Sequence, residues 1–210
     1  MILTDISIKN AVISGDIGIT PYDENKVNAN SYDVSIGNYL VVYGKRKGWV
    51  KQLYYDVVSF FRTVNPIERI ELPNVSNPLD CRHKTETVTI PIPLEGITLV
   101  PGVGYLANTR EYTQNPHYIP VIYGKSSLGR NFLLVHFTAG FGDVGFNGNW
   151  TLELGVMHPL IIYPDMKIGQ IVYFEPSGAV SSSYAVRPSS KYVEQTDAPV
   201  ASKFHENFIT

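Results

Sequence analysis

The chain has 210 residues, with 17 Lys and Arg against 19 Asp and Glu, so its formal net charge is −2. A nearly neutral chain has no electrostatic reason to bind nucleic acid or an anionic membrane in bulk. Charged residues make up 17% of the sequence, below the roughly 25% of ordinary domains, which suggests that partner subunits cover part of the surface.

Cysteine content and the first residues narrow the class of protein further. The single cysteine, Cys81, excludes an internal disulfide framework and any zinc or iron–sulfur site built from several cysteines. The first ten residues lack a basic stretch followed by an apolar run, and no apolar run reaches the roughly 18 residues of a membrane helix. We therefore expect a protein of the cytoplasm, either of its own cell or, for a viral protein, of the host cell.

One helix is predicted at the start of the chain. Thr4 is placed to cap it, Asp5 suits its first turn, and Gly15 ends it. Its apolar face is formed by Ile8, Ala11 and Val12. Beyond Gly15 the spacing of the apolar residues changes.

The apolar residues that follow recur with a period of two, which is typical of strands. Tyr32, Val34 and Ile36 alternate with polar neighbours. The same alternation recurs at Val88, Ile90 and Ile92. The prolines of this second run place it at a sheet edge or a bend. Residues 44–66 fit either a short helix or a hairpin.

The second half of the chain consists of short apolar runs separated by turn residues. No helical pattern lies between these runs, which favours an all-β barrel or a jelly-roll-like sandwich. We predict one barrel domain over residues 1–180, including the helix, and a polar, serine-rich arm over residues 181–210. By composition alone, this arm is typical of poorly ordered chain.

Two short motifs match known sites only superficially. Residues 140–145 fit the G-x-G-x-x-G pattern of dinucleotide-binding loops, but no helical pattern follows and no βαβ unit surrounds them. Cys81 and His83 could hold a metal only as a pair, and such a pair is more often incidental.

Two segments carry residues suited to chemistry. GKSSLGR, residues 124–130, could cradle phosphate oxygens with its hydroxyls, cations and backbone N–H groups, although a polar turn with a helix cap explains the same residues. TAGFGDVGFNGNWTLEL, residues 138–154, has four glycines that allow close approach to a flat ligand. Within it, Asp143 also fits an ordinary turn and Glu153 a solvated strand position.

These segments, in this order and spacing, resemble the dCTP deaminase branch of the trimeric dUTPase superfamily. The resemblance is greatest to its bifunctional members, which convert dCTP directly to dUMP. It spans nearly the whole chain and is poorest over residues 43–92. The stretches that carry it are MILTDISIKNAVISGDIGITPYD, SYDVSIGN, GKSSLGRNFLLVHFTAGFGDVGFNGNWTLEL, MKIGQIVYFE and SKYVEQ.

The resemblance implies an all-β-dominated fold, a distorted jelly roll or β-barrel of the dUTPase-like type, with a short N-terminal helix and a C-terminal tail that acts as a lid. It implies a homotrimer with active sites between subunits, in keeping with the low charged fraction. The lid would become ordered when nucleotide binds.

Four catalytic residues are implied by the resemblance. Glu153 matches the glutamate that deprotonates the water attacking C4 of cytosine and passes the proton to N3 and the leaving amine. Asp143 matches the aspartate that activates water for attack on the α-phosphate. Ser126 matches a hydroxyl that helps to hold the deaminating water, and Arg130 matches an arginine that supports the base-side catalytic group.

Other residues match positions that bind the nucleotide. Lys125, Ser126 and Ser127 match phosphate contacts, and Thr138 and Ala139 lie where the family reads the pyrimidine edge. The tail residues that match the lid over the triphosphate are Tyr184, Lys191, Tyr192 and Gln195.

The resemblance implies that Mg²⁺ arrives with the triphosphate and is held largely through water. Asp33 matches an aspartate near that end of the site, and a structural role is equally open. No zinc is implied, because zinc deaminases need His/Cys/Cys ligands and a P-C-x-x-C motif. dCTP and dUTP are the implied substrates, and dTTP is an implied inhibitor in the same pocket.

The residues after the Thr-Ala pair favour dUMP as the product. Monofunctional deaminases typically carry His-Arg there, whereas this chain has Gly140 and Phe141, as in the bifunctional branch. The glycine is expected to leave room for uracil until the phosphates are cut.

Two positions beside Asp143 depart from the family pattern. Gly142 replaces a bulky apolar residue such as Ile, and Val144 replaces proline, alanine or serine. A missing side chain at 142 is expected to loosen the loop or enlarge the base pocket, so a pyrimidine with a C5 substituent stays an alternative substrate.

The predicted function is that of a hydrolase that converts dCTP and two water molecules to dUMP, ammonia and diphosphate, supplying dUMP for dTTP synthesis. Three alternatives stay open. They are a deaminase that stops at dUTP, a dUTPase-type pyrophosphatase, and a nucleotide-binding regulator without catalysis.

Overall fold

A computed structural model describes residues 1–59, 63–196 and 198–208. These residues form three α-helices, which are α1 (Asp5–Ser14), α2 (Trp49–Ser59) and α3 (Ser126–Gly129). The strands are β1 (Gly18–Thr20), β2 (Val27–Asn28), β3 (Ser31–Tyr43), β4 (Lys45–Arg46), β5 (Ile70–Glu71), β6 (Thr87–Pro91), β7 (Ile97–Leu99), β8 (Tyr105–Gln114), β9 (Ile119–Gly124), β10 (Leu133–Leu134), β11 (Asn147–Val156), β12 (Leu160–Ile162) and β13 (Lys167–Phe174). Short 3-10 helices lie at Glu24–Lys26, Pro66–Arg69, Tyr184–Val186 and Phe204–Phe208.

The main sheet has nine strands and curves into a nearly closed barrel. Its path runs β10–β11–β8–β3–β13–β9, with β1 on β8 and with β2 and β6 on β3. A bridge between Val121 and Phe141 joins β9 to the segment that connects β10 with β11. The pairs β4–β5 and β7–β12 form small separate sheets. The prediction of an all-β-dominated barrel with a short N-terminal helix and a C-terminal tail is confirmed.

Helix α1 begins and ends where the sequence predicts. The Thr4 hydroxyl oxygen accepts a hydrogen bond from the Ser7 N–H at 3.5 Å. Gly15 adopts a left-handed φ of 82° just after the last residue of the helix. Ile8 and Ala11 are buried, and burying a side chain of the size of Ile8 contributes about 2 kcal/mol.

Strand β3 lies in the middle of the sheet, and its first seven residues are buried on both faces. Tyr32, Val34 and Ile36 have no exposed surface, as their alternation predicts. The polar residues between them are buried as well, with Asp33 and Ser35 each 2% exposed. The polar face meets other parts of the protein rather than water, because Lys125 and Asn28 donate to the Asp33 carboxylate and the Lys26 ammonium donates to the Ser35 hydroxyl.

The segment over residues 44–66, for which the sequence left two options, contains helix α2 between the paired strands β4 and β5. None of the residues of α2 is buried, so the helix lies outside the barrel. Residues 60–62 of this segment lie outside the described residues. Strand β6 pairs with β3 on one side, and among the described strands it has no second partner, which confirms the predicted edge.

One apolar cluster fills the barrel and supports β11 from below. Its largest fully buried side chains include Tyr32, Tyr105, Tyr173, Leu99, Leu152, Leu154 and Ile162. They come from the main sheet and from the small β7–β12 sheet, so the same core holds both. None of the helices in the described ranges is long and apolar enough to cross a membrane.

The tail after residue 180 packs along the barrel with little regular structure. Gln195 forms a parallel bridge with Gly148 of β11. The Glu194 N–H donates to the Asn147 carbonyl at 2.9 Å, and the Asn149 N–H donates to the Gln195 carbonyl at 2.8 Å. The tail thus has a defined place next to β11, whereas a domain boundary at residue 180 stays a prediction.

Candidate active site

A cavity of about 390 Å³ opens between β11, β8, the segment that follows residue 138, and the tail. The residues that line it are Tyr43, Leu106, Ala139, Phe141, Gly142, Asp143, Phe146, Trp150, Thr151, Glu153, Tyr184, Tyr192, Gln195, Val200 and Ser202. Both predicted catalytic carboxylates are in this set, so the fold brings Glu153 and Asp143 to one space.

Glu153 is positioned by the pleat of β11. Its neighbours Leu152 and Leu154 point into the core and have no exposed surface, so the glutamate side chain turns to the opposite face, toward the cavity. Its Oε2 atom accepts a hydrogen bond from the Phe137 N–H at 3.0 Å. One carboxylate oxygen is therefore oriented by the backbone, while Oε1 has no hydrogen-bond partner among the described residues, which suits a group that takes up and releases a proton.

Asp143 is carried by a loop whose backbone is tied down on both sides. The Gly142 N–H donates to the Pro120 carbonyl at 2.8 Å, and the Phe146 N–H donates to the Asp143 carbonyl at 3.1 Å. The residue is exposed, and its carboxylate makes no hydrogen bond or ion pair within the described ranges. It is therefore free to bind a water molecule or a ligand.

The cavity is acidic. Among the described residues that line it, Asp143 and Glu153 have acidic side chains, and none is Lys, Arg or His. An anionic ligand such as a triphosphate would be repelled by these walls alone. Cations from elsewhere are needed before the cavity can bind one.

Thr151 connects the cavity wall to the tail. It lies on the same face of β11 as Glu153, two residues earlier. Its hydroxyl donates to Oε1 of Gln195 at 2.8 Å and accepts a hydrogen bond from the Val200 N–H at 3.1 Å. Gln195 is itself 9% exposed, so this contact is largely shielded from water.

Tyrosine side chains form another wall of the cavity. The Tyr43 hydroxyl oxygen accepts a hydrogen bond from the Ser202 N–H at 2.7 Å, and that of Tyr184 accepts one from the Tyr192 N–H at 3.2 Å. Burial raises the pKa of both Tyr43 and Tyr184 above the ordinary value. Both phenols therefore stay neutral at physiological pH.

The predicted phosphate-binding segment lies elsewhere on the chain. Ser126 and Ser127 start the short helix α3, which directly follows β9, and Arg130 comes just after it. All three residues are exposed, and neither they nor Lys125 line the cavity. Within a single described chain, these residues and the two carboxylates do not meet.

Lys125 is instead held by Asp33. The Lys125 ammonium donates to Oδ1 of Asp33, Lys167 lies 3.1 Å from Oδ2, and the Asn28 amide donates to Oδ1 at 2.8 Å. Burial acts to raise the pKa of the Asp33 carboxyl, but the hydrogen bonds from Lys125, Lys167 and Asn28 outweigh it and lower the pKa below its ordinary value. Asp33 thus fixes two cations beside α3.

Two other predicted binding residues also lie away from the cavity. Thr138 is exposed and does not line it, although its neighbour Ala139 does. The Lys191 ammonium donates to the Lys203 carbonyl at 3.2 Å and to the Asn207 side chain. Lys191 therefore holds the tail together rather than facing the carboxylates.

Sequence reasoning missed several residues of the cavity wall. They are Tyr43, Leu106, Phe141, Phe146, Trp150, Thr151, Val200 and Ser202. Thr151 could have been found, because it shares a strand face with Glu153. Tyr43 and Ser202 carry no such signal, since they meet the cavity only through the packing of distant segments.

The structure corrects the expectation that the missing side chain of Gly142 creates free space. A Cβ atom on Gly140 would lie 2.5 Å from the Ile122 carbonyl oxygen, and one on Gly142 would lie 2.4 Å from Cη2 of Trp150. Both spaces are already filled. Gly142 therefore does not enlarge the pocket, whereas room for a uracil product beside Gly140 stays a prediction.

No group of three or more His, Cys, Asp or Glu side chains in the described ranges is arranged to hold a metal ion. Cys81 is an exposed thiol, and the nearby His83 has its Nδ1 atom 3.2 Å from Asp80. Asp143 offers a single carboxylate. This donor set fits a hard cation that arrives with a phosphate ligand and keeps most of its water.

Comparison with known proteins gives matches over most of the chain. A family model described as dCTP deaminase-like matches residues 2–176. A dUMP-forming dCTP deaminase of Cytophaga hutchinsonii is 38% identical over 192 residues, covering 91% of this chain and 90% of that protein. Another, from Hathewaya histolytica, is 36% identical over 196 residues and covers 93% of each chain.

The fold is also similar to a solved structure. A 2′-deoxycytidine 5′-triphosphate deaminase from Agrobacterium tumefaciens aligns with a TM-score of 0.53 at 16% identity, over 82% of this chain and 47% of that chain. At this identity the likeness concerns the fold alone.

Proposed function

Because the chain belongs to the dCTP deaminase-like family, we propose that it is a hydrolase that converts dCTP and two water molecules to dUMP, ammonia and diphosphate. The observation that carries this proposal is the presence of Glu153 and Asp143 in one cavity. Glu153 acts at the cytosine ring, and Asp143 acts at the phosphates. The relatives from Cytophaga hutchinsonii and Hathewaya histolytica, both dUMP-forming dCTP deaminases, support the same product.

Glu153 is the base for deamination. It takes a proton from a water molecule, whose oxygen then forms a bond to C4 of cytosine. The glutamate passes this proton to N3 and then moves the proton of the new C4 hydroxyl to the amino group, so that the C4–N bond breaks, ammonia leaves and the C4 carbonyl forms. The Phe137 N–H holds Oε2 in place, so the free Oε1 atom performs the transfers.

Asp143 is the base for the second hydrolysis. Its carboxylate takes a proton from a water molecule that attacks the α-phosphorus, and diphosphate is the leaving group. Its freedom from protein partners leaves both oxygens available for this task.

The cation for the triphosphate comes from a neighbouring protomer. The cavity wall supplies two carboxyl side chains and, among its described residues, no cation, while Lys125, a phosphate contact, and Arg130, which supports the base-side catalytic group, lie outside it. A homotrimer that sets the 125–130 segment of one protomer against the cavity of the next would complete the site, with Ser126 and Ser127 as further phosphate or water contacts. The low charged fraction of 17% fits a surface that is partly covered in this way.

The remaining assignments follow from the same arrangement. Tyr184, Tyr192 and Gln195 cover the nucleotide from the tail, and Ala139 reads the pyrimidine edge. Mg²⁺ bound to the triphosphate would neutralise charge near Asp143, and zinc is not needed, since Glu153 itself activates the water. The enzyme would act on the nucleotide pool of the cytoplasm, and dTTP would compete for the same cavity.

Product analysis tests the proposal. Purified protein is incubated with dCTP and Mg²⁺, and ammonia, dUTP, dUMP and diphosphate are measured over time. Equal amounts of ammonia and diphosphate are expected. Ammonia with accumulating dUTP would identify a deaminase that stops early, consumption of dUTP alone would identify a pyrophosphatase, and binding without turnover would identify a regulator.

Asp143→Asn separates the two reactions. The variant loses the base for phosphate hydrolysis but keeps Glu153, so diphosphate release should fall about 100-fold while ammonia release falls much less. dUTP should then accumulate and be resolved by chromatography. Equal loss of both products would contradict the division of roles.

A further inference from the structure

Trp150 sits between the core and the cavity in an unusually constrained setting. Its side chain is 6% exposed, its indole N–H donates to the Thr113 hydroxyl at 3.0 Å, and its ring centre lies 4.5 Å from that of Phe146. A buried aromatic ring with a satisfied N–H has one well-defined position. The far end of the indole is therefore fixed in space.

That far end occupies the volume next to Gly142. A Cβ atom built on Gly142 would lie 2.4 Å from Cη2 of Trp150 and 3.0 Å from the Pro120 carbonyl oxygen. No side chain fits there unless the indole moves. The indole of Trp150 therefore fills the volume that a side chain at position 142 would occupy.

This shared volume lies directly below the catalytic loop. Gly142 immediately precedes Asp143 in the chain, and its N–H is bound to Pro120 on the adjacent β9 strand. Glu153 depends on different contacts, namely the pairing of β11 with β8 and the Phe137 N–H. A change in the indole should therefore move Asp143 more than Glu153.

We propose that Trp150 is the positioning residue for the Asp143 end of the cavity, with its indole replacing a side chain at position 142 as the support of the loop. The inference rests on the proposed function for its kinetic readout. It also makes a prediction about packing that holds whatever the reaction is.

Trp150→Ile is the first variant. Removing the indole leaves a gap below the loop, and a displacement of about 1 Å at Asp143 should lower diphosphate release about 100-fold. Ammonia release should stay close to that of the parent protein, so dUTP accumulates. Trp150→Phe keeps a ring that is shorter at its far end and should show a smaller change in the same direction, which covers a failure of the first variant to fold.

Leu152→Ala is the matched control. Leu152 is two residues along the same strand, fully buried, and faces the core. Its truncation should lower the thermal midpoint by about 10 °C and leave the ratio of diphosphate to ammonia unchanged. If Trp150→Ile and Leu152→Ala leave that ratio equally unaffected, Trp150 is a core residue only and the proposal is wrong.

The double variant Gly142→Ile, Trp150→Ile tests the exchange of volume. Gly142→Ile alone should be strongly destabilised, because its side chain meets the indole. The double variant should melt higher than Gly142→Ile and recover much of the diphosphate release lost in Trp150→Ile. If the change in thermal midpoint of the double variant equals the sum of the changes in the two single variants, the inference is wrong.

These midpoints are measured on the full chain without nucleotide. If the parent protein converts no dCTP but the midpoints show the expected coupling, the packing inference stands and the proposed function fails. If turnover is as proposed but the midpoints add, the reverse holds.

Discussion

On the proposed function, the cavity and the 125–130 segment contain complementary halves of one active site, an acidic half and a cationic half. The cavity has two carboxylates, tyrosines and a backbone-oriented glutamate, and no cation among its described lining residues. The segment has two cations and two hydroxyls, and no acid. One half can move protons and the other can hold phosphates, but a single protomer keeps them apart.

The two regions are also stabilised in different ways. Glu153 is held by sheet pairing and a backbone N–H, with a well-packed core behind it. Lys125 is held by ion pairing to the buried Asp33, beside a short helix whose two serines are exposed. The acidic half therefore depends on the sheet, and the cationic half on a charge cluster.

Loss of the Glu153 carboxylate should have the largest effect on activity. Glu153→Gln keeps the size of the side chain but removes the base, so ammonia release should fall about 1,000-fold. Glu95→Gln, in an exposed turn before β7, is the matched control and should keep full activity. Retention of substantial ammonia release by Glu153→Gln would place the base elsewhere.

Loss of the charge cluster should act mainly on stability. Asp33→Asn leaves Lys125 and Lys167 without their shared carboxylate, which should cost about 3 kcal/mol of unfolding free energy at neutral pH. The pKa of Asp33 is lowered in the folded protein, so its stabilisation is present above the ordinary value of 3.8 and is lost as the pH falls through the lowered pKa.

Denaturant unfolding at several pH values checks this effect. The difference between parent and Asp33→Asn should be large at pH 7 and should shrink toward zero in strong acid. Asp80→Asn is the control, since Asp80 pairs with Arg82 at the surface and its loss should change stability little. A difference that persists unchanged in acid would contradict the ionic origin.

Mixing two inactive variants tests whether the halves meet across protomers. Glu153→Gln retains the cationic segment, and Arg130→Ala retains the cavity. If each site uses the cavity of one protomer and the segment of its neighbour, random mixing of equal amounts leaves about a quarter of the sites intact. Activity near that fraction, after co-refolding, is expected. No recovery above the separate variants would place the whole site within one chain.

Local patterns in the sequence predicted much of the fold. Helix α1 was set by Thr4, Gly15 and its apolar face, and the edge position of β6 by its prolines. The burial of Asp33 and Ser35 was not predictable from the alternation of apolar and polar residues. This alternation predicts that the polar residues face water, unless their partners are known. Lys125 and Lys167 are 92 and 134 residues away from Asp33 in the chain.

The sequence predicted which two carboxylates line the cavity, but it did not predict most of the other residues of the wall. Glu153 and Asp143 reached the cavity as expected, since both lie on one continuous segment. The effect of Gly142 was misjudged, because a missing side chain was treated as free volume without asking which neighbour fills it. Trp150 is eight residues further on, and only the folded loop brings it next to Gly142.

Because the wall of the cavity is acidic, nucleotide binding on the proposed arrangement depends on association of the protomers. On the proposed arrangement, dilution dissociates the protomers. It thereby removes the cations from the cavity and weakens the affinity for the substrate. Nucleotide that bridges two protomers would in turn favour association. Substrate supply and oligomer population would then be linked, and specific activity would rise with protein concentration.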